Sequence, residues 1–422
     1  MIHPTVQSRI TNQESRMSWF RAATPDARRA LLAASLGWML DSFDVMLYAL
    51  LAATLMRELS IDQATIGLLG SFTLVASAAG GLMFGIIADR YGRTRALIWS
   101  VLIYSVFTAA CGLAQSVAQL AVFRICLGLG MGGEWASGAA LVSETWPAEH
   151  RGKALGLMQS AWAIGYGLAA LVTYLVLPRF GWRAVFFVGI VPAFFTVWIR
   201  RRVPEPELWH QARRQPAATR GSLAEIFRPP LTRLTIWVTL MNACTMFAWW
   251  GFNLWVPAYL ELPVDRGGVG LGSGYRTTVL VIMQVGMWFG YVTFGYVSDR
   301  FGRKRAYVVY TLLASVLLLA YASTRAPMVL LALGPFLAFF GTGYFSGFGA
   351  VTAEIYRTSI RATAQGFTYN IGRIASAVAP FAVGSLAQTR GFGSAFATAS
   401  VAFALAAAAW TFIPETRGRT LE

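Results

Sequence analysis

Gly85-Ile86-Ile87-Ala88-Asp89-Arg90-Tyr91-Gly92-Arg93-Thr94-Arg95 returns 210 positions later as Gly295-Tyr296-Val297-Ser298-Asp299-Arg300-Phe301-Gly302-Arg303-Lys304-Arg305. The same register holds well outside this stretch. Glu144, Arg151 and Gly156 match Glu354, Arg361 and Gly366, and Pro204-Glu205 matches Pro414-Glu415. The chain is therefore two copies of one design, each with a short basic loop at the same place.

What surrounds those loops is apolar. Of 422 residues, 56% are hydrophobic and only 13% charged, with a mean hydropathy of +0.54, whereas soluble domains are about one-quarter charged. That balance excludes an ordinary soluble enzyme. Because a helix needs about 20 apolar residues to cross about 30 Å of hydrocarbon, the pattern predicts six spans per copy. In the first copy they fall at 30–56, 64–88, 96–114, 118–142, 154–177 and 183–200. In the second they fall at 232–260, 276–298, 306–323, 328–352, 363–387 and 393–413. The first run exceeds the 7–15 residues of a signal-peptide core, so it is expected to stay as a span. The expected organisation is a tail at 1–29, a six-helix half at 30–200, a linker at 201–231, a second half at 232–413 and a tail at 414–422.

The net charge of +16 lies between the apolar runs and forms no phosphate-gripping block, so no nucleic-acid partner is expected. With the N-terminus inside, 26 of the 35 Lys/Arg fall on the cytoplasmic side and seven on the other. Basic residues mark the cytoplasmic side, which predicts that both termini are cytoplasmic. Cys111, Cys126 and Cys244 occur singly in apolar segments, without the spacing of a metal site or disulfide framework. The linker is arginine-rich and too poor in apolar residues to build a core of its own.

The duplicated G-x-x-x-D-R-x-G-R loop, together with Arg124, Gly128, Gly130 and Gly132 in the fourth span, resembles the major facilitator superfamily over the whole chain. The resemblance implies an all-α membrane fold of twelve transmembrane helices in two pseudo-symmetric halves. It further implies secondary transport by alternating access, by a monomer in a bacterial inner membrane. It assigns a conformational latch to Asp89, Arg90, Arg93, Asp299, Arg300 and Arg303, with Glu144, Arg151, Glu354 and Arg361. Leu40-Asp41-Ser42-Phe43-Asp44, Gly130-Met131-Gly132-Gly133-Glu134-Trp135, Glu144-Thr145-Trp146-Pro147 and Arg151-Gly152-Lys153-Ala154 look like the sialate:proton symporter branch, which includes lactate and other organic-acid carriers. The paired aspartates are equally similar to the aromatic-acid:proton symporters. Both branches imply a carboxylate substrate. Spans one and seven lack the interior arginines of the organophosphate exchangers.

Away from the span ends, five charged residues lie within the spans: Asp41, Asp44, Arg124, Glu134 and Arg373. Each costs at least about 2.5–3.5 kcal/mol at a helix centre, so each is expected to face a polar cavity. Asp41 and Asp44 share one helical face, which Tyr48 continues. Two neighbouring carboxylates in a poor dielectric cannot both ionise cheaply, so the pair is expected to titrate as a unit and to carry or sense a proton. Either aspartate could instead merely hydrogen-bond a neighbouring helix. Glu134 is expected in the cytoplasmic half, as a proton or gating residue or as a structural partner of loop arginines. It lies about 80° and about 15 Å from Arg124, not an obvious ion pair. Arg373, about mid-membrane, can grip a carboxylate in bidentate fashion or pair internally with an acid of the other half. Arg124 lies nearer the periplasmic end, where it could snorkel; its part in proton coupling is what the resemblance implies. His3, His150 and His210 fall outside the spans, leaving coupling to carboxylates.

Tyr48, Asn253, Gln284, Tyr344, Tyr369 and Asn370 are expected to bind substrate with Arg373, and Trp249 and Trp250 to line the cavity, although abundant aromatics also serve packing and interfacial belts. Gly128 to Gly133 lie in an apolar helix and not after a strand, so close helix packing explains them better than nucleotide binding. The expected function is proton-coupled symport of a small organic anion such as a monocarboxylate, a sugar acid or an aromatic acid, with no cofactor and the proton as coupling ion. The alternatives are an exporter or facilitator of the same fold and a transporter-like sensor. An enzyme is not expected, since the spans hold no cluster of nucleophile, base and orienting group.

Overall fold

The computed structural model of the chain describes residues 20, 23–207 and 223–417. Residues 208–222 of the expected linker, and most of both tails, lie outside the described residues. The first half contains α1 (Pro25–Glu58), α2 (Gln63–Tyr91), α3 (Arg93–Cys111), α4 (Val117–Thr145), α5 (Ala148–Val188) and α6 (Val191–Arg202). The second contains α7 (Leu231–Asn253), α8 (Val256–Glu261), α9 (Ser273–Phe301), α10 (Arg303–Ser323), α11 (Pro327–Thr342), α12 (Phe348–Ile355), α13 (Thr358–Ser376) and α14 (Ala379–Ala409).

Local chemistry sets the helix starts. Thr24 Oγ1 accepts the Ala27 N–H at 3.2 Å with Pro25 opening α1, and Asp62 Oδ1 accepts the Thr65 N–H at 2.8 Å at the head of α2. Each basic loop reduces to one residue. Gly92 joins α2 to α3 with φ of 120°, and Gly302 joins α9 to α10 with φ of 100°, a backbone region that a side chain disfavours.

Two long helical runs each hold two crossings. α5 is broken at Gly181 (φ 75°, ψ 175°) and α14 at Gly391 (φ 79°, ψ 164°), again 210 residues apart. Beyond Gly181 the chain returns along α3, so that Gly189 packs on Thr108 and Glu205 reaches Thr94. Beyond Gly391 it returns along α10, where Ser400 meets Ser315 and the backbone of Ile413 meets Lys304. Nine helical runs among the described residues are long and apolar enough to cross a membrane. The two reversals and the broken α7/α8 pair bring the crossings to the expected twelve, six in each half.

Glycine lets the helices touch. A Cβ at Gly128 or Gly132 of α4 would overlap the backbone oxygens of Thr73 or Ser77 in α2, and one at Gly165 of α5 would overlap Met39 O in α1. The glycine-rich stretch of α4 is thus a packing surface.

At the face opposite the basic loops, the Phe381 N–H donates to Ser71 Oγ at 3.3 Å, and Gln388 takes the Ala64 N–H and donates to Asp62 Oδ2, both at 3.3 Å. Gly67 backs onto Pro380, and Gly384 onto Gln63 and Trp255. The two halves are thus tied together at the face opposite the basic loops.

Candidate functional site

α1 carries Asp41 and Asp44 toward the junction of the halves, α4 supplies Glu134 and Arg124, and α13 supplies Arg373 from the opposite half. All five are buried, none more than 4% exposed. Arg373 lies within electrostatic reach of both Asp41 and Glu134, and those two acids feel each other. Asp44 in turn feels Asp41. Glu134 packs against Gly37, one turn before Asp41, so its carboxyl sits beside the aspartate helix.

Two carboxyls, Asp41 and Glu134, lie within reach of one guanidinium, and Asp44 stands behind Asp41. Asp41 Oδ2 and both carboxyl oxygens of Asp44 and Glu134 have no hydrogen-bond partner among the described residues. An ionised carboxylate is costly in such surroundings unless paired. One cation can balance one carboxylate, whether one of the cluster's own or that of a ligand.

Arg124 belongs to a separate arrangement. Expected to snorkel toward the surface, it is instead only 1% exposed, with Nε donating to Thr73 Oγ1 at 2.9 Å and the guanidinium 3.7 Å from the centroid of the Tyr48 ring. The Tyr48 hydroxyl, donating to Ile66 O at 2.8 Å, holds that ring in place. A buried cation over an aromatic face is stabilised without reaching water, which is why the side chain turns inward. Tyr48 is fully buried and serves as the platform for Arg124.

The other expected cavity residues are distributed along the junction. Asn253 Nδ2 lies 3.6 Å from Met46 Sδ in the other half. Gln284 faces Gly167 across the halves with Oε1 unpartnered. Asn370 Nδ2 donates to Gly366 O at 2.9 Å, and its Oδ1 faces Gly81. Tyr344 is buried with its hydroxyl unpartnered. Trp249 packs edge-on against Phe345. Tyr369, beside Arg373, stacks on Trp135, the neighbour of Glu134, with centroids 4.4 Å apart and planes 3° from parallel.

The sequence reading did not single out Trp135, Trp38 or Trp162. Trp38 lies 4.7 Å from Trp162, which meets Trp250 of the other half edge-on at 6.1 Å. The Trp38 and Trp162 indole N–H groups are buried without an acceptor. Adjacency to the charged residues at 41, 134 and 373 was the available signal.

The latch residues pair within each half, and identically. Arg93 binds Glu144 at 2.9 Å and Arg303 binds Glu354 at 3.1 Å. Arg303 also reaches Asp299 at 2.5 Å. Arg90 and Arg300 lie over the rings of their neighbours Tyr91 and Phe301. Arg151 Nε has no hydrogen-bond partner among the described residues, and the side chains of Asp89 and Arg361 lie outside the described residues. Glu205 accepts the N–H groups of Thr94 and Arg95 at 3.0 and 3.1 Å, and Glu415 accepts those of Arg303 and Lys304 at 2.8 and 3.2 Å. Burial alone would push the Glu415 carboxyl up, but backbone N–H donors from Arg417, Arg303, Lys304 and Thr416 outweigh it and hold the group below the usual range. The repeated Pro-Glu pair thus caps the helix that follows each basic loop.

Comparison with known proteins agrees with this architecture. The chain is 34% identical to a probable 4-methylmuconolactone transporter of Cupriavidus pinatubonensis, over 96% of this chain and 94% of the relative. It is 31% identical to a cis,cis-muconate transport protein of Acinetobacter baylyi, over 89% and 91%, and 30% identical to a sialic acid transporter of Escherichia coli, over 92% and 94%. A solved D-xylose-proton symporter superimposes with a TM-score of 0.77 at 19% identity, covering 93% of this chain and 99% of that one. The sequence profile described as Major Facilitator Superfamily matches residues 34–275 and 264–421. With its two six-helix halves, its repeated basic loops and this match along nearly the whole length, the chain is a membrane transporter belonging to the Major Facilitator Superfamily.

Proposed function

We propose that this transporter is a proton-coupled symporter of a small organic anion, with both termini and the basic loops in the cytoplasm of a bacterial inner membrane. The observation that carries the reading is Arg373 of one half set against Asp41 and Glu134 of the other. Protonation of those acids releases the guanidinium, and a substrate carboxylate then takes their place through charge-assisted hydrogen bonds. Deprotonation on the other side restores the internal pairing and expels the anion. Relatives named for muconate and sialic acid support an acidic substrate.

In this orientation the face closed by the contacts of Ser71, Asp62 and Gln388 is the outer one, as in an inward-facing state. Alternating access follows by rocking one half against the other about the buried cluster. Asp44, in electrostatic contact with Asp41, passes or senses the proton. The Arg93–Glu144 and Arg303–Glu354 pairs hold the helix ends as rigid units while the halves move.

The test is thermal-shift binding of purified protein to cis,cis-muconate, hydroxybenzoate, lactate and sialate at about pH 5.5 and about pH 7.5. Stabilisation by a carboxylate, stronger at the lower pH and lost in Arg373→Ala, is the expected result. Stabilisation by neutral or cationic compounds alone would overturn the reading.

A further inference from the structure

On the outer face, where the halves are closed, lies a second buried cation that the central cluster does not use. Arg276, in the first turn of α9, is only 3% exposed. Its guanidinium is paired with Glu261 at the end of α8, yet its Nε has no hydrogen-bond partner among the described residues. Tyr166 of α5, from the opposite half, is fully buried with its hydroxyl unpartnered, and it lies within the electrostatic reach of Arg276. The two helices abut there, with Gly167 against Gln284 and Gly274 against the Tyr174 hydroxyl.

A buried unmade hydrogen bond is costly, so the idle Nε donor is a place for an acceptor. Tyr166, across the interface, offers only a hydroxyl. The two residues move apart whenever the halves part on this side, because α5 and α9 belong to different halves. Glu261 moves on a segment of its own: α8 is six residues long and is separated from α7 at Leu254–Trp255.

We infer that Arg276 is the outer docking site for the carboxylate of the substrate, shielded by Tyr166 and held by Glu261 while the outer face is closed. When the halves part, Tyr166 withdraws with α5, and the guanidinium presents Nε and its freed edge to an incoming anion that competes with Glu261. The anion then passes to Arg373. This assignment rests on the anionic substrate proposed above.

The experiment measures half-saturation for radiolabelled cis,cis-muconate from each face of oriented proteoliposomes. In Arg276→Gln the outer half-saturation constant is expected to rise about tenfold or more, the effect of losing one charge-assisted contact, while the inner constant stays within about twofold. Glu261→Gln, which removes the competitor, is expected to lower the outer constant several-fold, and Arg276→Lys to fall between wild type and Arg276→Gln. Equal changes on both faces, or weakened outer binding in Glu261→Gln, would show a structural pair and overturn the proposal. Should Arg276→Gln not fold, Glu261→Gln and Arg276→Lys decide. Failure of the anion reading itself shows separately: a neutral methyl ester would compete with muconate as well as the acid does, in wild type and Arg276 variants alike.

Discussion

In the proposed cycle Arg373, Asp41 and Glu134 make the proton and the anion competitors for one charge balance. Asp44 is the acid with no cation beside it among the described residues: it faces the Thr108 side chain and Asp41. Asp44→Asn fixes that site in a neutral form. Proton-driven accumulation should then be lost while exchange of internal for external substrate persists, which counterflow measurements would reveal; retained pH-driven accumulation would refute the role. Asp62 behaves differently. Its side chain accepts hydrogen bonds from Thr65 and Gln388, which hold it below the usual carboxylate range. A depressed value means that its contribution is present above the ordinary value of about 3.9 and disappears as pH falls through the lowered one. Asp62→Asn should therefore leave function at neutral pH nearly intact and keep the cap of α2 while removing the negative charge at its N-terminus, a loss of a few tenths to about 1 kcal/mol, seen as a small thermal shift.

Between helices, the decisive contacts are those in which glycine lets backbones meet. Gly132 of α4 leaves no room for a methyl group beside Ser77 O and the Gly81 N–H. Gly132→Ala should cost about 1–3 kcal/mol through overpacking and lower both the yield and the melting temperature of purified protein. Gly156→Ala, where the space is open in this state, should leave the melting temperature unchanged. Periodicity and breaker residues placed most helices well, because each crossing is a long apolar run bounded by polar loops. Hydropathy did not show the interruption of span 232–260 at Leu254–Trp255, nor that of span 328–352 at 343–347. Both breaks are local backbone events inside apolar sequence, where composition does not change. The single-residue turns at Gly92 and Gly302 were legible because the motif itself repeats.

In the assembled transporter, the charges inside the spans were visible in the sequence because the cost of burying them makes each one conspicuous. Their partners were not visible. Arg373 lies more than 200 residues from Asp41 and Glu134, and only the packing of the halves brings them together. For the same reason the inward turn of Arg124 over Tyr48 escaped notice, since a snorkelling arginine and a cation over a ring have the same sequence. Arg276 stood at the edge of its predicted span and so passed as a boundary charge. The latch pairs show a further consequence of duplication. Arg93–Glu144 and Arg303–Glu354 each join residues 51 apart, so each half keeps its own brace. Glu144→Gln and Glu354→Gln should each loosen one half and slow transport without changing half-saturation at the central site, as initial-rate measurements would show.

The most direct test of the account is to follow protons and substrate together in proteoliposomes with no imposed gradient, adding cis,cis-muconate outside and reading internal pH with a trapped dye. Symport predicts that substrate entry acidifies the interior in wild type and that acidification vanishes in Asp44→Asn. Muconate uptake without any accompanying proton movement would contradict coupling and leave a facilitator in its place.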